Sequence, residues 1–233
     1  MRINKLGLFI FLLFLLFVSS SFANVVWVYN ANDGINTKPI INGNYTITTS
    51  RDGILHVVSL ANGQSVWEKD VGDGILQPIL FDGDVVTATN HGVITRLKRS
   101  GNIAWQVDLN KTKKVSLAYG MTTAEVNGTE LYVTTDKGIF SIERSGNISL
   151  FFNGTNKLPY TQPTAFNNNV IFGAGDELIV VKNNSILWRN EVANFWSKPY
   201  VDNNKIYIGA LDNALYAFDL ATGKQVWRYE TLG

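Results

Sequence analysis

From residue 25 onward the chain alternates short apolar runs with turn residues. Between Trp67 and Trp105 the order is legible: Pro78 precedes a run from Ile79 to Phe81 that ends at Asp82-Gly83, and a second run from Val85 to Ala88 ends at Asn90-His91-Gly92. A third run, Val93 to Leu97, ends at Ser100-Gly101, and a fourth contains Trp105. Runs this short, rich in Val, Ile and Thr, suit pleated strands, and Asp-Gly or Asn-Gly supplies the positive φ that tight hairpin turns demand. The pattern predicts four antiparallel strands joined by three tight turns, and no segment carries a helical period.

The unit recurs. Tryptophans stand at 27, 67, 105, 188 and 227, spaced by 40, 38, 83 and 39, and Leu150 falls where the long gap calls for another. Unit one runs from Pro39 through Asn42-Gly43, Asp52-Gly53 and Gly63 to Trp67; unit four from Pro163 through Asn167-Asn168-Asn169, Asp176 and Asn184 to Trp188; unit five from Pro199 through Asp202-Asn203, Asp212-Asn213 and Gly223 to Trp227. Unit three departs, with Leu150 for Trp and extra residues from Leu109 to Ala118 that include Lys111, Lys113 and Lys114. A four-stranded meander of this length cannot bury both faces alone, so copies must stack, and radial stacking gives a β-propeller. The expected fold is all-β, a propeller of about five four-stranded antiparallel blades, as a closed five-blade ring or an open arc. Val25 to Tyr29 reads as an outer strand with no blade before it, while Val226 to Thr231 already supplies the outer strand of unit five.

The first residues read as an address. Arg2 and Lys5 precede an apolar run of thirteen residues, Leu6 to Val18, and Ser21-Phe22-Ala23 offers a cleavage site. Residues 1–23 are therefore expected to be a signal peptide, because the run is short of the roughly 20 residues a membrane span needs; retention as an anchor is the alternative. Residues 24–233 form the propeller domain. Without Arg2 and Lys5 the formal charge passes from +1 to −1, and scattered basic residues give no footprint for nucleic acid. The chain has no cysteine, so neither a disulfide framework nor a lipid-modified cysteine accompanies export.

Unit five carries a fuller signature, Ala217-Phe218-Asp219-Leu220-Ala221-Thr222-Gly223-Lys224-Gln225-Val226-Trp227. It resembles the Ala-x-Asp-x-x-Thr-Gly-x-x-x-Trp docking motif of PQQ-like (pyrrolo-quinoline-quinone-type) propeller repeats; units one, two and four keep only the Gly or Asn and the Trp four residues later. The resemblance implies that Trp27, Trp67, Trp105, Leu150, Trp188 and Trp227 occupy blade-docking positions between neighbouring blades. It also raises quinone chemistry, for which quinoprotein dehydrogenases of the family use eight blades, an adjacent cysteine pair, Ca²⁺ and an aspartate base. This chain has about five units and no cysteine, and Asp52, Asp82, Asp176, Asp202 and Asp212 fall in turns, where Asp side chains bond back to backbone. The expected match is to non-enzymatic members of the family, with no catalytic residue, cofactor or metal ligand; a degenerate quinoprotein or small-ligand enzyme is the alternative.

Other chemistry is sparse. His56 and His91 give no zinc spacing, no nucleophile-elbow Gly-x-Ser-x-Gly is present, and Gly72-Asp73-Gly74 and Gly173-Ala174-Gly175 lack a strand-to-helix setting for a phosphate cradle. Aromatic residues in the loops that enter the first strands, Tyr119, Tyr160, Phe195 and Trp196, form a candidate binding face for peptide or sugar, or else pack over the neighbouring blade. The Lys111 to Lys114 loop would steer an anionic partner or simply be solvated. Asn44, Asn110, Asn127, Asn147, Asn153 and Asn183 begin Asn-x-Ser/Thr triplets and are candidate glycosylation sites in an exported chain. Together these features point to a secreted or periplasmic, cell-surface scaffold whose partner is protein or glycan at the cell envelope, with no membrane span after cleavage and with self-association if the propeller is open.

Overall fold

The computed structural model describes residues 25–35, 37–72, 76–113, 121–122, 129–154 and 161–231; the expected signal peptide at residues 1–23, Lys114, Tyr119, Asn127 and Tyr160 lie outside them. Among the described residues twenty strands form five separate four-stranded sheets. Blade 1 comprises β1 (Ile40–Asn42), β2 (Tyr45–Thr49), β3 (Ile54–Ser59) and β4 (Ser65–Asp70). Blade 2 comprises β5 (Ile79–Phe81), β6 (Asp84–Ala88), β7 (Val93–Leu97) and β8 (Ile103–Asp108). Blade 3 is β9 (Met121–Thr122), β10 (Glu130–Thr135), β11 (Gly138–Glu143) and β12 (Ile148–Asn153); blade 4 is β13 (Thr164–Phe166), β14 (Asn169–Ala174), β15 (Glu177–Lys182) and β16 (Ser185–Glu191). Blade 5 is β17 (Tyr200–Asp202), β18 (Lys205–Ala210), β19 (Ala214–Asp219) and β20 (Gln225–Glu230). Each sheet is a simple antiparallel meander in chain order. The all-β propeller architecture expected from the repeat is the one observed.

Turn chemistry explains the hairpins. Asp82-Gly83, Asn167-Asn168, Asn183-Asn184 and Asn203-Asn204 all hold both central residues at positive φ, between 47° and 77°, the twist that matches the right-handed coil of the flanking strands. Asn tolerates that region because its short polar side chain bonds locally. One helical turn, α1 (Asn110–Lys113), interrupts the all-strand pattern inside the unit-three insertion, a feature no periodicity announced. Among the described residues no helix is long and apolar enough to cross a membrane.

The core lies between blades. Ile47, Leu55 and Val57 of blade 1 pack with Val85 and Leu97 of blade 2. Phe81, Val86 and Ile94 meet Leu131, Val133 and Phe140 across the next seam, Tyr132 and Ile139 meet Val170, Phe172 and Ile179 across the third, and Ile171, Leu178 and Val180 meet Ile206, Ile208 and Phe218 across the fourth. Burial follows the strands accordingly: β14 is buried along all six residues, whereas β20 exposes all six.

Candidate functional site

A single contact repeats at the outer rim of the seams. The Trp67 indole lies against Gly101 of the next blade, where a Cβ would stand 3.1 Å from the ring, and its N–H donates to the Arg99 carbonyl at 2.9 Å. Trp105 repeats this on Gly146 and the Arg144 carbonyl, and Trp188 on Gly223 and the Leu220 carbonyl, with the would-be Cβ at only 2.7 Å. Glycine is needed twice over, for the positive φ of the turn (72° at Gly223) and for the ring above it. The two ends of the Gly-x-x-x-Trp units ending at Trp67 and Trp105 therefore serve different seams: the glycine receives the preceding segment and the tryptophan reaches the following blade.

Trp27 uses the same geometry from outside any strand. Its ring covers Gly63 and its N–H donates to the Leu60 carbonyl at 2.9 Å, so residues 25–30 occupy the place of a preceding blade's outer strand. Tyr29 adds a second anchor, its hydroxyl 2.8 Å from His56 Nδ1 and donating to Glu68 Oε1 at 2.6 Å. His56 Nε2 in turn meets Ser50 Oγ at 2.7 Å, and that hydroxyl donates to Asp52. Ser50 and His56 are both buried, and with its proton directed to Asp52 the serine is a structural link and not a solvent-facing nucleophile. Desolvation, aided by Glu68, pushes the Tyr29 phenol up to about 12, and the Tyr29 hydrogen bond holds the Glu68 carboxyl below its ordinary range. His56, which offers no zinc spacing in the sequence, is thus a packed residue of this network. The signal for its partner was Tyr29, which follows the docking tryptophan by two.

Two of the expected docking positions differ. Leu150 is 39 % exposed and stands outside the cluster of the third seam. In blades 1, 2, 4 and 5 the β-bulge of the outer hairpin immediately precedes the tryptophan, whereas in blade 3 it comes two residues later and skips Phe151, pairing Leu150 with Phe140 and Phe152 with Ile139. Phe152 then packs edge-on against Phe172 of blade 4, and Phe151 against Tyr132, at centroid distances of 4.8 and 4.7 Å. The receiving turn has changed too, being the two-residue Asn183-Asn184 hairpin with no glycine. A cavity of about 280 Å³ lies at this seam, lined by Glu130, Tyr132, Phe151, Val170, Val181 and Asn183 among others. Burial and the 2.5 Å bond to Glu130 raise the Tyr132 phenol above its ordinary value. Trp227, at the other differing position, is 38 % exposed and packs on Tyr207 of its own blade.

The aromatic face divides. Phe195 is buried to 1 % exposure beneath Tyr216 and Phe218, 5.8 and 6.1 Å away, so it belongs to the fourth seam and not to a binding surface. Its backbone bridge to Ala210 turns it inward and its neighbour outward: Trp196 is 54 % exposed, and Tyr200 four residues on is exposed as well. Of the candidate glycan acceptors, Asn44, Asn147, Asn153 and Asn183 are exposed, while Asn110 is half-buried with its amide donating to the His91 carbonyl. Lys111 is exposed. No cluster of three or more His, Cys, Asp or Glu that could hold a metal occurs among the described residues.

Comparison with known proteins agrees with this architecture. The outer membrane protein assembly factor BamB of Shewanella oneidensis is 25 % identical, over 78 % of this chain and 50 % of its own length, so the chain spans about half of that relative. The crystal structure of BamB from Moraxella catarrhalis superposes with a TM-score of 0.72 at 17 % identity, over 90 % of this chain and 68 % of that one. Quinohemoprotein alcohol dehydrogenase from Comamonas testosteroni superposes with a TM-score of 0.71 at 10 % identity, over 90 % of this chain and 45 % of that one, a likeness of fold alone. A family model matches residues 22–149 and 153–233, and the chain thus belongs to the PQQ-like repeat family described as outer membrane protein assembly factor BamB.

Proposed function

We propose that the chain is an exported, non-catalytic propeller scaffold that engages a protein at the cell envelope, through the loop entering blade 5. The exposed pair Trp196 and Tyr200 is the observation that carries this reading. Large rigid rings offer contact area at low entropic cost, and here they stand beside Phe195, whose burial fixes the loop in place. The family match supports an envelope role. Residues 1–23 act as the export signal and 24–233 as the working domain, and the Asn-x-Ser/Thr positions carry glycan only where the host's envelope supplies it.

Photo-crosslinking from position 196 in cells is expected to give discrete protein adducts and position 45, on blade 1, to give none; adducts equal at both positions would overturn this reading. A glycan array with the purified chain tests sugar as the partner class instead, and binding lost in Trp196→Ala would move the proposal there. Addition of pyrroloquinoline quinone and Ca²⁺ is expected to leave the melting temperature unchanged, and a shift would favour a ligand-binding enzyme.

A further inference from the structure

Blades 2 and 3 each carry a row of three residues, across strands two, three and four, that faces the following seam. In blade 2 the row is Val86, Arg96 and Trp105, and in blade 3 it is Tyr132, Ser141 and Ser149. Two residues before the first member of the row stands an acid in both, Asp84 and Glu130, where blades 1, 4 and 5 have Tyr45, Asn169 and Lys205. Blade 2 answers its acid from within. Arg96 Nε lies 2.8 Å from Asp84 Oδ2 with its guanidinium 5.1 Å from the Phe81 ring centroid, and it donates at 3.0 Å to the Arg144 carbonyl, which also receives the Trp105 indole. Blade 3 has the acid and neither partner: Ser141 stands in the place of Arg96, and Leu150 is turned out of the row to pair with Phe140. Glu130 accepts the Tyr132 hydroxyl and, among the described residues, is paired with no cation. Arg144, which lines the recess beside it, pairs with Asp82 at 2.9 Å. A second carboxylate, Glu143, sits directly opposite Glu130 on the neighbouring strand, an unfavourable like-charge pair.

We infer that the cavity at the third seam receives an arginine side chain of a protein partner, whose guanidinium pairs with Glu130 as Arg96 pairs with Asp84 one seam earlier. The space, about 280 Å³, is lined by Glu130, by the Tyr132 and Phe151 rings and by Asn168 and Asn183 of blade 4. A carboxylate beside two aromatic rings is chemistry that recognises a cation. The planar guanidinium matches a carboxylate with two parallel N–H groups, stacks on rings and sheds water more readily than an ammonium, which favours arginine over lysine. An indole alone would fill the slot and leave the Glu130 charge unanswered. The site is also within a partner's reach. Asn168 and Asn183 belong to the turns that join strands one to two and three to four of blade 4, and in an antiparallel meander those turns share one end. The cavity therefore opens at the end of the blades opposite the loop that carries Trp196, and it is a separate surface from that loop.

Titration of the isotope-labelled full chain with the peptide acetyl-Gly-Arg-Gly-amide, followed by backbone amide resonances, tests the inference. Saturable shifts at Tyr132, Phe151 and Asn183 are expected, with binding about tenfold weaker for the same peptide carrying lysine and weaker by about tenfold or more in Glu130→Gln. No saturable shift at these residues, or equal binding by the lysine peptide or by Glu130→Gln, overturns it. Tighter binding of the tryptophan peptide would make the cavity an indole slot, and tighter binding of agmatine a site for a free amine; either result overturns the inference as well. Ser141→Arg gives blade 3 the acid and arginine pair of blade 2 and is expected to abolish peptide binding and raise the melting temperature. A folded Ser141→Arg chain that still binds the peptide contradicts the assignment. Neither substitution touches Trp196 or Tyr200, so failure here is separable from failure of the envelope scaffold.

Discussion

The seam between blades 4 and 5 and the seam between blades 3 and 4 bury similar apolar clusters and are closed by different means. At the first, Trp188 lies over Gly223 with a directed hydrogen bond. At the second, both members of that pair are gone: the sending strand has Phe151 and Phe152, and the receiving turn has Asn183-Asn184. The missing ring and the missing glycine belong together physically, since a turn with no ring above it has only a conformational reason for glycine, which Asn can also meet. The rim contact is thus a two-residue device that one seam does without, at the cost of an open cavity beside Tyr132.

Removing the closing ring should be the most damaging change at either seam. Trp188→Ala and Phe152→Ala are each expected to destabilise by about 3 kcal/mol in urea unfolding, through lost burial and the cavity left behind. A loss at Phe152 below about 1 kcal/mol would mean the third seam is held elsewhere. Turn substitutions come next and sharpen the contrast. Gly223→Ala meets both a positive φ and the Trp188 ring, for about 2 kcal/mol or more, whereas Asn184→Ala, at φ 59° with no ring above it, should cost about 1 kcal/mol.

The Trp27 seat extends the comparison to a segment held by ring and phenol together. Tyr29→Phe is expected to cost about 1 kcal/mol at neutral pH, and the difference from wild type should be pH-dependent. The Glu68 carboxyl, held below its usual 4.5 chiefly by the Tyr29 hydroxyl, contributes stability that is present above that value and lost as pH falls through its lowered folded-state value. Melting curves of the two proteins should therefore converge on acidification; a constant gap would show that Glu68 is not the phenol's partner. Leu150→Ala, at an exposed position, is expected to change stability by less than about 0.5 kcal/mol.

Much of this was legible along the chain, for a physical reason. Strand and turn signals are local, so Asp82-Gly83 marked its hairpin by its own φ preference, the turn expected at Asp202-Asn203 closes one residue on at Asn203-Asn204, and the tryptophan spacing counted the blades. Contacts between blades are not local, and there the reading failed. Leu150 sits at the right spacing, but a bulge displaced by two residues passes its place to Phe151 and Phe152. Phe195 and Trp196 look alike in sequence, yet adjacent residues point to opposite sides of an extended segment, and one fills the fourth seam. The surplus outer strand was visible, and the structure gives its place: Trp27 holds the Gly63 seat.

The claim that ring and glycine act as one unit is tested most directly by a double-mutant cycle on Trp188→Ala and Gly223→Ala, measured by urea unfolding. If the added methyl is costly mainly because of the ring, it should cost far less once the ring is removed, with a coupling of 1 kcal/mol or more in magnitude, within the roughly 0.5–3 kcal/mol range of residues in contact. Additivity within about 0.3 kcal/mol, as for independent sites, would contradict the account.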